Sequence, residues 1–177
     1  MNTLCDPFSL PTVDATVILA LATVALACGT FWLAFESRQA SFRQIGVQTW
    51  LEFIKRFDSE DMKRERKALA KWLKNYDPTR HDEISEVVLL LFEDVGIAYK
   101  LGCLNKELAD ESFGFYVCRW WCAAKPCVEQ ERKRHGDDKS LFENFEKIAV
   151  LMRLDRETID EQERLRFLDD EIKLTLD

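Results

Sequence analysis

The stretch Ala15–Phe35, ATVILALATVALACGTFWLAF, holds no charged side chain over 21 residues. As an α-helix rising 1.5 Å per residue it would cover about 30 Å, the thickness of a bilayer's hydrocarbon core. A core helix of a water-soluble protein normally keeps a polar stripe. Here the only hydroxyls are those of Thr16, Thr23 and Thr30, which in a helix can bond back to a carbonyl one turn earlier. The expectation is a transmembrane helix. A cleaved signal peptide is the competing reading, but it needs a basic leading region and a shorter apolar run. Before Ala15 there is no Lys or Arg, only Asp6 and Asp14.

The flanks give a direction. Arg38 and Arg43 follow the stretch, with Lys55 and Arg56 further on, and basic residues stay on the cytoplasmic side. The expected topology is N-terminus outside and the remainder in the cytoplasm, with Trp32 and Phe35 at the inner interface. Ala25 and Gly29 are four residues apart, with Ala22 on the adjoining ridge. That spacing lets two helices approach closely, so span self-association through Ala22, Ala25 and Gly29 is one expectation.

All 25 basic residues, and all but Asp6 and Asp14 of the 32 acidic ones, lie beyond Phe35, which leaves that part with a balance of −5. Nucleic-acid binding wants the opposite sign, so no nucleic-acid partner is expected. Twelve Phe and five Trp supply a core, while six Gly and four Pro leave few turn signals. Long periodic stretches then predict an all-α fold: one N-terminal transmembrane helix followed by a cytoplasmic antiparallel bundle of about five helices. The expected divisions are a tail over 1–14, the span over 15–36, a juxtamembrane helix over 37–58, the bundle over 59–154 and an acidic helix over 155–177.

Trp50, Phe53, Ile54 and Phe57 make one stripe of the juxtamembrane helix, with Gly46 as a weak point before it. Ser59 is read as the N-cap of a helix running to about Tyr76, with Glu60 and Asp61 in its first turn and KRERK as a solvated face. Asp77-Pro78 ends it. The next helix is expected over His81–Leu101, starting near Thr79 or Asp82. Its run VVLLLF is apolar nearly all round, which predicts a central helix touched on several sides. Gly102 stops it and Asn105 caps its successor. That helix is expected to bend or end near Pro126, with Glu129–Lys139 as a polar connection in which Arg132, Lys133, Arg134 and His135 form a solvated patch. Leu141, Phe142, Phe145, Ile148, Ala149 and Met152 mark a further helix. The last, with Ile159, Leu165, Leu168 and Ile172, is acidic and thinly apolar and is expected to dock loosely, to extend or to meet a partner.

Four segments, TWLEFIKRFDSEDMKRERKAL, LLLFEDVGIAYKLGCL, FGFYVCRWW and LFENFEKIAVLM, follow the span in that order. The chain resembles a family of short bacterial single-span membrane-anchored helical proteins classed as a domain of unknown function, over Thr49–Met152. Phe57, Phe92, Glu93, Gly102, Tyr116, Trp120, Trp121, Phe142 and Phe145 carry the likeness. The resemblance implies a bacterial, single-span, helical protein without an assigned reaction, and it transfers no catalytic residue. No cofactor is expected, and the expected location is the bacterial inner membrane.

Among groups that carry chemistry, Cys118 and Cys122 lie one turn apart, with Cys103, Cys127 and His135 near in sequence. These are the candidate metal or redox residues, although the paired CxxC knuckles of zinc and iron–sulfur sites are missing. In a reducing cytoplasm they read first as buried thiols. Glu93 and Asp94 sit on an apolar helix and are expected to pair with Lys100 or Arg119. No triad, phosphate-cradling glycine loop or HExxH is present. The expected function is non-enzymatic: a membrane-anchored protein acting through a protein partner or a homo-oligomer, by analogy in a stress or anti-phage system. The alternatives are a sensor using the cysteines and an effector that disturbs the membrane through oligomerisation of the span.

Overall fold

A computed structural model describes residues 15–77, 79, 85–153 and 159–175. Among them are six helices and no strand: α1 (Ala15–Phe57), α2 (Glu60–Lys74), α3 (Val87–Lys100), α4 (Lys106–Arg134), α5 (Glu143–Arg153) and α6 (Glu161–Ile172). The chain divides into two compact units, Met1–Phe42 and Arg43–Asp177, and α1 contributes to both.

The first unit contains the apolar helix. Residues Thr16–Arg38 are long and apolar enough to cross a membrane, and none of this segment is buried within the chain. The Thr23 hydroxyl donates to the Leu19 carbonyl at 2.8 Å and that of Thr30 to Ala27 at 2.9 Å, so these side chains spend their polarity on their own helix.

The second unit is a helical bundle around Phe57, Phe92, Phe113, Trp120 and Phe145, all buried. The Phe57 ring meets those of Phe92 and Phe113 at 5.9 Å and Tyr116 at 4.7 Å, so the end of α1 is packed into the bundle. Trp50 adds an indole N–H bond of 3.2 Å to the Ser112 hydroxyl on α4. Gly46, expected as a weak point, is buried against the α3–α4 turn. A Cβ there would lie 3.4 Å from the Cys103 carbonyl oxygen, an ordinary van der Waals contact, so this packing does not depend on glycine.

Helix ends follow their capping residues. Ser59 accepts from the Met62 N–H, and Asn105 from that of Leu108. Gly102, at φ +70°, closes α3 with two bonds, Cys103 N–H to Ala98 and Gly102 N–H to Tyr99, the pattern of a Schellman stop. Three boundaries differ from expectation. Helix α2 ends at Lys74, where the Asn75 amide caps Lys71 O, and Asp77 turns the chain by accepting from the Thr79 N–H and hydroxyl. Helix α3 starts at Val87, because Ser85 is held outside it, its hydroxyl donating to Glu65 at 2.6 Å; His81 and Asp82 lie outside the described residues. Helix α4 runs through Pro126 to Arg134. The proline contributes no N–H to the ladder, but Trp121, Ala123, Ala124, Cys127 and Val128 are buried on either side of it, and that packing outweighs the local break.

Helix α3 is touched by α2, α4 and α5, as its VVLLLF run predicts. It buries Val88, Leu89, Leu91, Phe92 and Val95, and one face stays open, with Val87, Leu90, Ile97 and the adjoining Leu101 at 39, 45, 39 and 69% exposure. Helix α6 is not loose. It buries Phe167 and Leu168 and lies along α2, with bonds from Lys67 to the Leu174 carbonyl and from Lys74 to Asp169 that set the two helices antiparallel.

Candidate functional site

The seat of α6 holds the bundle's densest chemistry. In α2, Met62, Leu69 and Leu73 make a buried stripe, and Arg66 occupies a position on it rather than on a solvated face. Its Nε and Nη2 donate to the two carboxylate oxygens of Glu171 at 2.8 and 2.7 Å. Both side chains are about 95% buried, at 4 and 5% exposure. The guanidinium also lies 3.9 Å from the Phe57 ring centre and 5.4 Å from that of Tyr116, and Nη1 reaches the Phe57 carbonyl at 3.4 Å. This bidentate fork is the geometry for which Arg is suited.

Beside it a cleft of about 310 Å³ runs between α4 and α6, lined by Arg66, Phe115, Tyr116, Arg119, Glu163, Arg166, Phe167, Asp170, Glu171 and Leu174. Arg119 pairs with Glu163 and stacks 3.6 Å over Phe115. Three arginines face three carboxylates, and two of those arginines are matched within the fold. The lining therefore holds no net charge to attract an ion, and its chemistry is that of a clasp. At the same seam the hydrogen bond from Lys74 holds the Asp169 carboxyl below its usual range.

Glu93 has a different partner from the one expected. It accepts from the Asn144 N–H at 3.2 Å, from the Asn144 side-chain amide at 2.6 Å and from the Phe145 N–H at 2.8 Å. The residue before α5, Phe142, has φ +54° and no side-chain acceptor, so a carboxylate from α3 caps the helix in its place. The helices meet closely here: a Cβ on Gly96 would fall 2.5 Å from the Asn144 carbonyl oxygen. Asp94 pairs with Arg56 at 3.2 Å, and Arg119 is engaged by Glu163. Neither carboxylate takes Lys100 or Arg119.

The cysteines are spread along α4 and its preceding turn. Cys118 is buried and donates to the Ala149 carbonyl of α5 at 3.7 Å. Cys122 is half-buried, and Cys103 is half-buried in the turn against Gly46. Cys127 is buried and donates to Ala124 in its own helix at 2.8 Å; burial pushes its thiol up to about 12. A thiol so placed stays protonated at neutral pH, which removes the nucleophilic form. Among the described residues no group of three or more His, Cys, Asp or Glu side chains could hold a metal ion. Ala22, Ala25 and Gly29 are exposed on the apolar helix, and a Cβ on Gly29 would meet nothing within 4 Å.

The basic run at Arg132–His135 is the end of α4, where positive charge complements the helix dipole. Arg132 is not solvated. It donates twice to the Leu141 carbonyl, at 3.0 and 2.7 Å, and once to Glu146 at 2.8 Å, tying α4 to the start of α5.

Gly96 and Glu171 were absent from the sequence expectations, and Arg66 figured there only within the solvated KRERK face. A signal existed for each: a charge on an apolar stripe in α2 and again in α6, and a lone glycine inside an apolar helix.

Fold and site together define a class: an all-helical protein with one exposed apolar helix and a bundle whose polar clusters hold helices to one another. A family model for a domain of unknown function, DUF4760, matches residues 11–152, and the chain belongs to that family. Neither curated proteins nor solved structures gave a match.

Proposed function

We propose that this chain is a membrane-anchored interaction protein of a bacterial inner membrane, with its N-terminus outside, its bundle in the cytoplasm, and binding rather than catalysis as its work. One observation carries the reading: every described side chain of Thr16–Arg38 is exposed, and the segment holds no charge as far as Phe35. Left in water, such a surface is far larger than the few hundred Å² that soluble proteins tolerate, whereas a bilayer covers it. The direction rests on Arg38 and Arg43 after the segment and no basic residue before it. The bundle supports binding in that its strongest polar groups are committed to structure, Glu93 to the α5 cap and Arg66 to Glu171. A place in a stress or anti-phage system belongs to this proposal by analogy of plan.

The test has two parts. Membranes washed with alkaline carbonate should retain the full-length chain, and a C-terminal tag should be digested by protease only once the inner leaflet's side is opened. Release by carbonate, or a product shortened by the first 35 or so residues, would sink the anchor. Purification in mild detergent should then give a defined partner or a homo-oligomer; a clean monomer without companion would refute the binding reading.

A further inference from the structure

Helix α3 carries a stripe that the fold leaves open. Val87, Leu90, Asp94, Ile97 and Leu101 follow one another at steps of three and four residues. At 100° per residue they fall within an arc of about 80°, over a length of about 21 Å. All five are exposed, and the single polar member, Asp94, is paired with Arg56 of α1 at 3.2 Å, each about half exposed.

The stripe reads nearly the same from either end. Val87 and Leu101 lie seven residues on either side of Asp94, while Leu90 and Ile97 lie four and three away. A two-fold axis through Asp94 would therefore set Val87 on Leu101 and Leu90 on Ile97 of an antiparallel copy. It would also bring each Asp94 toward the Arg56 of the other copy, closing two ion pairs into a ring of four alternating charges. At the ends, exposed Glu86 of one copy meets exposed Lys100 of the other, and the two helix dipoles oppose favourably. A contact between identical copies must be self-complementary in shape and charge, and this stripe meets both conditions.

We propose that the exposed face of α3, centred on the Arg56–Asp94 pair, is a dimer interface that takes α3 of a second copy in antiparallel register. Five side chains a copy fall well short of the roughly 20–30 residues a side of a standard interface. The contact is therefore weak between free chains and needs both copies held in one bilayer at high effective concentration. In that respect the inference rests on the anchor proposed above.

The full chain, labelled with donor and acceptor dyes and reconstituted in phosphatidylethanolamine–phosphatidylglycerol vesicles, tests it by energy transfer after flotation. Leu90→Glu acts twice across the two-fold and should weaken dimerisation about thirtyfold. Arg56→Glu leaves only acids at the axis and should weaken it about tenfold, whereas the double change Arg56→Gln with Asp94→Asn, which leaves no charge there, should stay within about threefold of wild type. A photoreactive side chain at Ile97 should cross-link to α3 of the second copy around Leu90. Dimerisation unaffected by Leu90→Glu but lost with Gly29→Leu would overturn the α3 face and move the contact to the span. Equal effects of Arg56→Glu and the neutral double change, or a cross-link only to lipid, would overturn it as well. Flotation separates the two failures: a chain that does not float refutes the anchor, and with it the proposal, whereas one that floats as a monomer refutes the α3 face alone.

Discussion

Removing the carboxylate of Glu171 leaves Arg66 charged, buried and without its bidentate partner. The Arg66 side chain is 4% exposed, so water cannot replace the lost oxygens without opening the seam. What remains is one bond of 3.4 Å to the Phe57 carbonyl and the faces of Phe57 and Tyr116. Cation–π attraction at such faces is worth about 0.5–2 kcal/mol, and it is already present in the wild type, so it offsets none of the loss. Breaking a buried ion pair from one side costs about 3–5 kcal/mol, a large share of the roughly 5–15 kcal/mol that stabilises a domain. Glu171→Ala should therefore undock α6 before the rest of the bundle unfolds. Trp120 meets Phe167 of α6 edge-on at 5.3 Å, so its indole N–H resonance, assigned apart from those of the other four tryptophans, follows this step during urea titration of the full chain in micelles. Replacing both partners, Arg66→Met with Glu171→Leu, should recover most of the loss, because the desolvation cost disappears with the charges. A Glu171→Ala penalty under about 1 kcal/mol, or additive effects of the two single changes, would refute the claim that this pair is desolvated and coupled.

Gly96→Ala gains about 1 kcal/mol of helix propensity but sets a Cβ 2.5 Å from the Asn144 carbonyl oxygen, and overpacking of this kind costs about 1–3 kcal/mol. Net destabilisation is expected in thermal melts, and a stabilised variant would show that α3 and α5 are further apart than described. For Cys127, burial raises the folded thiol from 9.0 to about 12. Between those values the unfolded chain has lost a proton that the folded chain keeps, so stability is full below pH 9 and falls as pH rises through this window, by up to a few kcal/mol. Cys127→Ala should flatten that alkaline decline relative to wild type, and an unchanged slope in denaturation curves would contradict the burial.

The apolar helix, the caps at Ser59 and Asn105 and the stop at Gly102 were legible because each is a local event: a length, a side-chain oxygen, a positive φ. What the sequence hid was set by neighbours distant along the chain. Pro126 reads as a break, yet burial on both sides carries α4 past it. The VVLLLF run is touched on several sides, as it reads, but apolarity reports only that a face tolerates burial and does not tell which face of α3 stays open. KRERK reads as solvated because four of its five residues are basic and one acidic. The fourth, Arg66, also falls in register with Met62, Leu69 and Leu73, and it was the charge pattern rather than the helical period that misled. Glu93 reads as a partner for Lys100 or Arg119, but its partners are N–H groups at a helix start some fifty residues away, which no local pattern announces.

The charges at the α2–α6 seam decide position more than strength. Phe167 and Leu168 supply the apolar area, but two adjacent large residues fit a groove almost equally well after a slip of one helical turn. Such a slip would set Arg66 opposite Phe167 or Thr175 in place of Glu171, and neither carries a charge. It would also part Lys74 from Asp169 and Lys67 from the Leu174 carbonyl. The penalty for a buried unpaired guanidinium, several kcal/mol, then falls on every register but one. A buried pair that adds little net stability over apolar residues can thus still fix a unique docking, as a single buried polar residue does in coiled coils. The double replacement described above separates the two roles. Arg66→Met with Glu171→Leu should keep most of the stability while letting α6 occupy more than one register, visible as more than one Trp120 indole N–H resonance where the wild type shows one.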